Sequence, residues 1–266
     1  MFDSIAGDYD ALNHILSLDV DKIWRKKALK QIVDAPAPAR VLDLACGTGD
    51  FSIAIAKALS RSHKRVGTPI EAHVKASVKA PVEAQVTSTG FVTGDSGRSD
   101  LMTKGHVTGV DLSEGMLAVM REKVQKAGLT EMISIEEGDG ENLRFPDNTF
   151  DRVTIAFGIR NFEDRPKGLR EMLRVLKPGG RLVILELSRP ENNIIRWFYD
   201  LYFLHILPKI GGKVSGDKAA YAYLPASVAA FPGKKAFMAT MREAGFRAVA
   251  HKAFTLGICR MYTGEK

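Results

Sequence analysis

The sequence contains little cysteine: Cys46 and Cys259 are the only two in 266 residues, and they lie far apart. Two distant cysteines form neither a disulfide framework nor a cysteine-based zinc site, and such sparse use indicates a cytosolic protein. Long apolar runs are also missing, because no stretch reaches the roughly 18 uncharged residues of a transmembrane helix. Residues 1–3 lead directly into a polar segment, so we expect no signal peptide.

The composition excludes disorder along the whole chain, since 45% of the residues are hydrophobic and 26% are charged. The length suits one sizeable α/β domain over residues 1–266. The net charge of +7 is unevenly placed, because residues 209–266 hold ten Lys or Arg and three Asp or Glu. This basic stretch either predicts an acidic partner, such as phospholipid head groups, nucleic acid or an anionic ligand, or is an ordinary solvated surface.

Apolar residues recur with a period that alternates between strand-like and helix-like segments. Residues 1–38 form a predicted helical N-terminal cap, in which two helices over 7–33 end at the prolines that follow. Strands are predicted at 40–45, 107–111, 133–137, 150–157, 181–187, 247–254 and 258–262, with helices at 51–59, 113–128, 165–176 and 234–244. This alternation predicts an α/β fold with a mostly parallel sheet and helices on both faces.

Two segments break the alternation. Residues 60–105 are dominated by Ser, Thr, Gly, Val, Lys and Ala without a lasting period, which predicts a mobile insertion. Residues 193–210 are apolar on nearly all sides of a predicted helix, which is too short to span a bilayer. We place this helix in a helical lid or substrate region over residues 191–232.

A glycine turn follows the first predicted strand of the sheet and precedes a helix. Gly47 and Gly49 carry no Cβ, so the backbone there can approach a ligand closely, and the helix behind them points its amides at that ligand. The third position of a dinucleotide-binding G-x-G-x-x-G turn is Ser52, and the carboxylate of Asp50 would repel a pyrophosphate. The turn therefore favours a cofactor without phosphates.

Asp111 ends the second predicted strand, where an acidic side chain commonly accepts hydrogen bonds from ribose hydroxyls. It follows Gly49 by 62 residues instead of about 20, and the predicted insertion accounts for the difference. The alternative is that Asp111 is a helix N-cap or an exposed turn residue.

These residues resemble a known family. The strand and glycine turn at 41–49 (VLDLACGTG), taken with Asp111, resemble the first two motifs of class I S-adenosylmethionine-dependent methyltransferases, whose seven-stranded sheet is Rossmann-like. The chain also resembles the ubiquinone/menaquinone biosynthesis C-methyltransferases in residues 2–13 (FDSIAGDYDALN), 23–25 (IWR), 145–151 (FPDNTFD), 157–161 (FGIRN), 174–181 (RVLKPGGR) and 185–190 (LELSRP). The resemblance covers nearly the whole chain apart from residues 60–105.

The resemblance implies that the cofactor is S-adenosyl-L-methionine. It implies that Gly47, Thr48 and Gly49 form the loop beside the methionine part and that Asp111 binds the ribose hydroxyls. It further implies that Asp139 and Gly140, after the third strand, face the adenine. No metal is expected, because the sulfonium methyl group is already electrophilic.

The implied reaction is C-methylation of demethylmenaquinol, a prenylated quinol whose ring carbon becomes nucleophilic when a ring hydroxyl loses its proton. Arg160 and Asn161 follow the fourth strand, where the substrate should meet the methyl group, and Tyr9 is a third candidate catalytic residue. Arg160 could lower the pKa of the phenol, hold the phenolate or orient a water acting as base. Asn161 could instead cap or bridge backbone groups, and Tyr9 could be a core aromatic side chain.

The residues leave alternatives open. The substrate could be a benzoquinol of the ubiquinone pathway, and an NAD-dependent enzyme is a distant third reading. A non-catalytic methyltransferase-like binding module belongs to a different class, but the basic residues lack interleaved aromatic residues, so we expect no nucleic acid. The apolar helix at 194–207 either contacts an anionic membrane surface, on the inner face of the cell membrane, or forms a packed lid or a homodimer interface.

Overall fold

The computed structural model describes residues 20–35, 38–66, 105–202 and 218–266. The first predicted helix of the N-terminal cap and Tyr9 lie outside the described residues. Most of the predicted insertion and the second half of the predicted apolar helix lie outside them as well.

Seven strands form one sheet in the order β3-β2-β1-β4-β5-β7-β6. The strands are β1 (Arg40–Leu44), β2 (His106–Asp111), β3 (Ile133–Glu137), β4 (Phe150–Ala156), β5 (Leu176–Leu187), β6 (Arg247–Phe254) and β7 (Cys259–Glu265). Strands β1 to β5 pair in parallel, while β7 runs antiparallel to both β5 and β6. This topology confirms the predicted mostly parallel α/β sheet.

Seven α-helices accompany the sheet within the described residues. They are α1 (Val20–Ile32), α2 (Asp50–Val66), α3 (Glu114–Lys126), α4 (Arg165–Val175), α5 (Asn193–Leu201), α6 (Lys218–Ala230) and α7 (Lys234–Glu243). One apolar cluster packs α1, α2 and α3 against the sheet, and a second cluster packs α4 and α7 against it. Successive residues of β1 alternate between them, since Val41 belongs to the first cluster and Leu42 to the second, so the clusters cover opposite faces.

Two element boundaries differ from the prediction by five residues or more. Helix α2 continues to Val66, so the predicted start of the insertion at residue 60 was too early. The last turns of this helix consist mainly of polar and basic residues, which conceal the helical period. Strand β5 begins at Leu176 instead of the predicted residue 181. Its pairing with β4 skips from Leu176 to Arg181, which marks an irregularity such as a bulge in the strand.

The predicted lid region contains two described helices, α5 and α6. In α5 the apolar residues do not all face the same environment: Tyr199 is buried, whereas Trp197 and Phe198 are exposed. In the described part of this segment, apolar side chains therefore lie on both the packed and the exposed side of the helix. None of the described helices is both long enough and apolar enough to cross a membrane.

Candidate active site

The strand order reverses at β1, which lies between β2 and β4. Ligands of open α/β sheets bind at such a reversal, outside the carboxyl ends of the strands. A cavity of about 480 Å³ lies there, lined by residues that follow β1 to β4, among them Gly47, Asp111, Asp139, Gly140, Phe157 and Asn161. A second cavity, of about 30 Å³, shares Gly47 and Phe157 with the first.

Asp111 connects the loops that follow β1 and β2. Its Oδ2 accepts a hydrogen bond from the Gly47 amide at 2.8 Å, and its Oδ1 accepts one from the Ser113 amide at 2.9 Å. A carboxylate oxygen can accept more than one hydrogen bond, so these bonds orient the group without exhausting its capacity for a ribose diol. Ser113, not Asp111, is the N-cap of α3, and Asp111 lies on the wall of the larger cavity.

Asp139 and Gly140 line the same cavity. Asp139 Oδ1 accepts a hydrogen bond from the Glu141 amide at 2.8 Å. A Cβ at Gly140 would lie 2.6 Å from the Phe162 ring, so packing alone requires a glycine at this position. Leu112 also lines the cavity and is 67% exposed, so a flat ring bound against it would cover apolar surface that now contacts water.

Thr48 is buried and lines the smaller cavity. Its Oγ1 accepts a hydrogen bond from Lys123 Nζ at 3.3 Å, and Lys123 also forms a salt bridge with Asp50. Arg25, from α1, lies 3.5 Å from the Asp50 carboxylate. Two cationic side chains from different helices therefore meet at the glycine turn. No role at this turn was predicted for either of them, although Arg25 belongs to the motif at 23–25.

Gly49 is placed differently from Gly47. Gly47 lines both cavities, as a glycine that contacts a ligand should. Gly49 is not among the lining residues of either cavity; its φ is +82°, and a Cβ there would overlap the Met120 side chain on α3. The positive φ and the close packing between the start of α2 and α3 are therefore a structural reason for a glycine here, separate from the predicted approach to a ligand.

Strand β1 carries a buried carboxylate that sequence analysis missed. Asp43 is 1% exposed, lines the smaller cavity and accepts a hydrogen bond from the Ser52 hydroxyl at 2.6 Å. Burial raises the pKa of Asp43 to about 7, against the opposing effects of the Ser52 hydrogen bond and the Arg25 charge. A single acidic residue in an otherwise apolar strand was the signal that could have found it.

Arg160 is buried in an ion pair. Its Nη1 lies 2.8 Å from Glu186 Oε1, and its amide donates to Glu186 Oε2 at 3.1 Å. The same Nη1 donates to the carbonyl oxygen of Phe157, and Nε donates to the Ser227 hydroxyl on α6 at 3.3 Å. Since Arg160 is not among the residues that line the larger cavity, these contacts suit it to hold the turn at 159–161 in place.

Asn161 does line the larger cavity. Its Oδ1 accepts a hydrogen bond from the Tyr223 hydroxyl on α6 at 2.8 Å. This bond occupies the amide oxygen, so the NH₂ group of Asn161 is suited to donate to a ligand. Of the three predicted catalytic residues the structure thus brings Asn161 to the cavity and places Arg160 behind it, while Tyr9 lies outside the described residues.

A sequence profile of the ubiE/COQ5 methyltransferase family matches residues 1–266. The chain belongs to this family. The ubiquinone/menaquinone biosynthesis C-methyltransferase UbiE of Geobacter sulfurreducens is 44% identical over 100% of this chain and 87% of the relative. The demethylmenaquinone methyltransferases of Bacteroides fragilis and Deinococcus radiodurans are 39% and 42% identical, each over 100% of this chain and 91% of the relative. These matches confirm the family resemblance drawn from the motifs.

Solved structures share the fold. A SAM-dependent methyltransferase from Aquifex aeolicus matches with a TM-score of 0.54 at 19% identity, over 90% of this chain and 88% of that chain. Another, from Thermotoga maritima, matches with a TM-score of 0.56 at 18% identity, over 100% of this chain and 98% of that chain. The sheet and these matches confirm the class I methyltransferase fold.

This member of the ubiE/COQ5 family is a methyltransferase, and its methyl donor is S-adenosylmethionine. The site fits that cofactor in two respects. The larger cavity lies within the usual range of about 300–1,000 Å³ for small-molecule sites and has the Asp111 carboxylate on its wall. Asp43, Asp50 and Arg25 line the smaller cavity, and Asp50 is paired with Lys123 and Arg25, so the wall has side chains of both charge types, as suits a ligand that carries both charges.

Proposed function

We propose that this methyltransferase converts demethylmenaquinol to menaquinol in menaquinone biosynthesis, with S-adenosylhomocysteine as the second product. The observation that supports this substrate most directly is the full-length similarity to two demethylmenaquinone methyltransferases. The aromatic side chains of Phe157 and Phe162, which line the larger cavity, are of the kind that packs against a quinol ring.

On the cofactor side, Asp111 binds the ribose hydroxyls, and Asp139 and Gly140 contact the adenine. The glycine turn with Gly47 and Thr48 encloses the methionine part, and Gly49 shapes that turn from outside. The orientation of Asp111 by two backbone amides supports its part of this assignment, because an oriented acceptor loses less entropy on binding.

On the substrate side, bound S-adenosylmethionine supplies an electrophilic methyl group on a sulfonium. The protein has to hold the quinol in line with that group and stabilise the charge that develops on the quinol oxygen. The NH₂ group of Asn161 donates a hydrogen bond to this oxygen, and Arg160 holds the turn that carries Asn161. Tyr9 is the third residue that we assign to the catalytic side.

A benzoquinol of the ubiquinone pathway is the alternative substrate, because the relative from Geobacter sulfurreducens is named for both pathways. Purified enzyme is incubated with labelled S-adenosylmethionine and, in parallel, with the reduced naphthoquinone and the reduced benzoquinone that lack the ring methyl group. We expect label in the naphthoquinol. Label in the benzoquinol alone would transfer the assignment to the ubiquinone pathway, and label in neither would contradict quinol methylation.

We further propose that α5 rests on an anionic membrane surface, so that the enzyme is cytoplasmic and peripheral on the inner face of the cell membrane. Ile194, Trp197, Phe198 and Leu201 follow the helical spacing of one face, and each is between 39% and 71% exposed. Aromatic and aliphatic side chains on one helix face suit the boundary between head groups and acyl chains. The basic C-terminal stretch favours anionic lipid.

Flotation with vesicles tests this contact. The wild type should float with vesicles that contain phosphatidylglycerol, and the double variant W197S/F198S should remain in the dense fraction. The variant I23S is the control, because Ile23 is an exposed apolar residue on α1. If the wild type does not float at moderate salt but sediments as a dimer that W197S/F198S dissociates, this face is a homodimer interface instead.

A further inference from the structure

Arg25 extends from α1 to the smaller cavity, which it lines together with Gly47 and Thr48. Its Nη1 lies 3.2 Å from Asp21, one turn earlier on the same helix, and 3.5 Å from Asp50 at the start of α2. Its guanidinium carbon is 5.6 Å from the centre of the Phe157 ring, a cation–π distance. Three contacts from three elements therefore hold this guanidinium at one place.

One donor of this guanidinium remains unused. The Nε atom of Arg25 is buried and makes no hydrogen bond within the part of the chain that the structure describes. Both ion pairs of Arg25 use Nη1. The edge formed by Nε and Nη2 is one of the two edges with which a guanidinium binds a carboxylate through two parallel hydrogen bonds. A buried donor without an acceptor is unfavourable, so an acceptor supplied by a ligand would stabilise this arrangement.

The charges around the smaller cavity match a zwitterion. Arg25 contributes a positive charge, and Asp43 and Asp50 contribute the acidic groups. The amino-acid end of S-adenosylmethionine carries one carboxylate and one ammonium group at neighbouring positions. A cavity of about 30 Å³ has room for roughly two waters, which suits the carboxylate group and excludes the nucleoside.

We propose that Arg25 binds the α-carboxylate of the cofactor through its Nε edge and thereby selects ligands that carry an intact amino-acid end. This inference rests on the proposed placement of the methionine part at the glycine turn. Phe157 and Asp21 hold the guanidinium in the binding orientation before the ligand arrives, so little side-chain entropy is lost on binding.

Titration calorimetry with three ligands tests the inference. The ligands are S-adenosylhomocysteine, its analogue that keeps the amino group but lacks the carboxylate, and 5′-methylthioadenosine, which lacks the whole amino-acid end. In R25Q we expect the affinity for S-adenosylhomocysteine to fall about 10- to 100-fold, while the affinity for the other two ligands changes by less than about threefold. The variant R25K keeps the charge but not the two parallel bonds, so its loss should be intermediate. The control is R121Q, because Arg121 lies on the exposed side of α3 in a surface ion pair.

Each result decides the question. Equal losses for all three ligands in R25Q would show that Arg25 only supports the fold, and no loss would show that it does not contact the cofactor; both overturn the inference. If R25Q does not fold, R25K decides, because wild-type affinity for S-adenosylhomocysteine in that variant excludes a bond through two donors. Failure of the wild type to bind S-adenosylhomocysteine would instead contradict the cofactor site itself.

Discussion

The two halves of the site each bury a carboxylate, and each neutralises it in a different way. On the cofactor side, Asp43 is 1% exposed, hydrogen-bonded to Ser52, and has its pKa raised to about 7 by burial. On the substrate side, Glu186 is 0% exposed and paired with Arg160 at 2.8 Å. A proton neutralises the first carboxylate at low and intermediate pH, and a guanidinium neutralises the second.

This difference separates what each half can do. On the side where we propose that the cofactor binds, the buried carboxylate of Asp43 has a pKa near neutrality and lines the smaller cavity. On the substrate side, the Glu186 carboxylate pairs with Arg160 and thereby holds the turn that carries Asn161. The charge of Glu186 therefore has a structural role. Variants on each side of the site test that division.

Removal of the charge of Glu186 should have the largest effect. In E186Q the Arg160 guanidinium stays buried without its counter-charge, and breaking a buried pair in this way costs about 3–5 kcal/mol. Urea unfolding should show that loss in the free energy of unfolding. The control is E114Q, because Glu114 pairs with Arg121 at the surface, where solvent screens the pair and its loss should leave stability nearly unchanged. If E186Q were as stable as the wild type, the Glu186–Arg160 pair would not hold the substrate side together, and the proposed difference from Asp43 would be wrong.

The variant D43N should alter how stability depends on pH. Between pH 3.8 and about 7 the folded protein holds the Asp43 proton and the unfolded chain does not, so this group's contribution to the free energy of unfolding falls as pH rises and is constant above that range. Asparagine has no such titration. The stability of D43N relative to the wild type should therefore rise with pH over this window, by at most about 4 kcal/mol.

Thermal or urea unfolding of both proteins at several pH values measures this difference. S52A sharpens the test, because loss of the hydroxyl that donates to Asp43 should raise the pKa of this carboxyl further and extend the window to higher pH. A difference between D43N and the wild type that does not change with pH would show that Asp43 is ionised in the fold throughout.

The structure places the predicted Gly47, Thr48 and Asp111 on cavity walls, whereas it places Asn161 on a wall and Arg160 behind it, and the reason is physical. Gly47, Thr48 and Asp111 follow strands that pair directly, so strand order alone brings them together at one sheet edge. The partners of Arg160 and Asn161 are Glu186 and Tyr223, which lie on other elements and have no fixed spacing to them. The sequence shows which residue types are present in such a region, but which side chains form ion pairs or hydrogen bonds with each other depends on tertiary packing.

The same limit explains why the packing role of Gly49 and the position of Arg25 were not predicted. In the sequence a glycine required by a neighbouring helix looks the same as one required by a ligand. The Met120 side chain that excludes a Cβ at Gly49 comes from α3, beyond the predicted insertion. Arg25 lies on α1, which precedes β1 in the chain, whereas the glycine turn follows β1. The contact between Arg25 and this turn therefore depends on the packing of α1 beside α2, which the sequence does not show.

Within the cofactor half, D111N should weaken binding of S-adenosylhomocysteine more than D139N does. Asp111 accepts hydrogen bonds from two backbone amides through different oxygens, so an asparagine has to direct its NH₂ group at one of these donors. We expect a loss of about 10- to 100-fold in affinity. Asp139 makes one such bond, which an asparagine oxygen can replace, so D139N should lose roughly threefold or less by calorimetry. Equal losses of affinity in D111N and D139N would contradict the proposal that Asp111 contributes more to cofactor binding than Asp139.

The smallest effect concerns the hydroxyl of Tyr223, which fixes the amide of Asn161. In Y223F the amide is free to rotate, so kcat for the quinol should fall about 10-fold, with the KM for S-adenosylmethionine unchanged. N161A should lose more, and the double variant Y223F/N161A should lose no more than N161A, because the hydroxyl acts through that amide.

Y262F is the matched control, since the Tyr262 hydroxyl is buried and makes no hydrogen bond within the described residues. Its kcat should equal that of the wild type. Additive losses in Y223F/N161A would mean that Tyr223 contacts the quinol itself or supports another part of the lid. The substrate half would then depend on α6 directly, and its catalytic groups would not be confined to the turn that Glu186 and Arg160 hold.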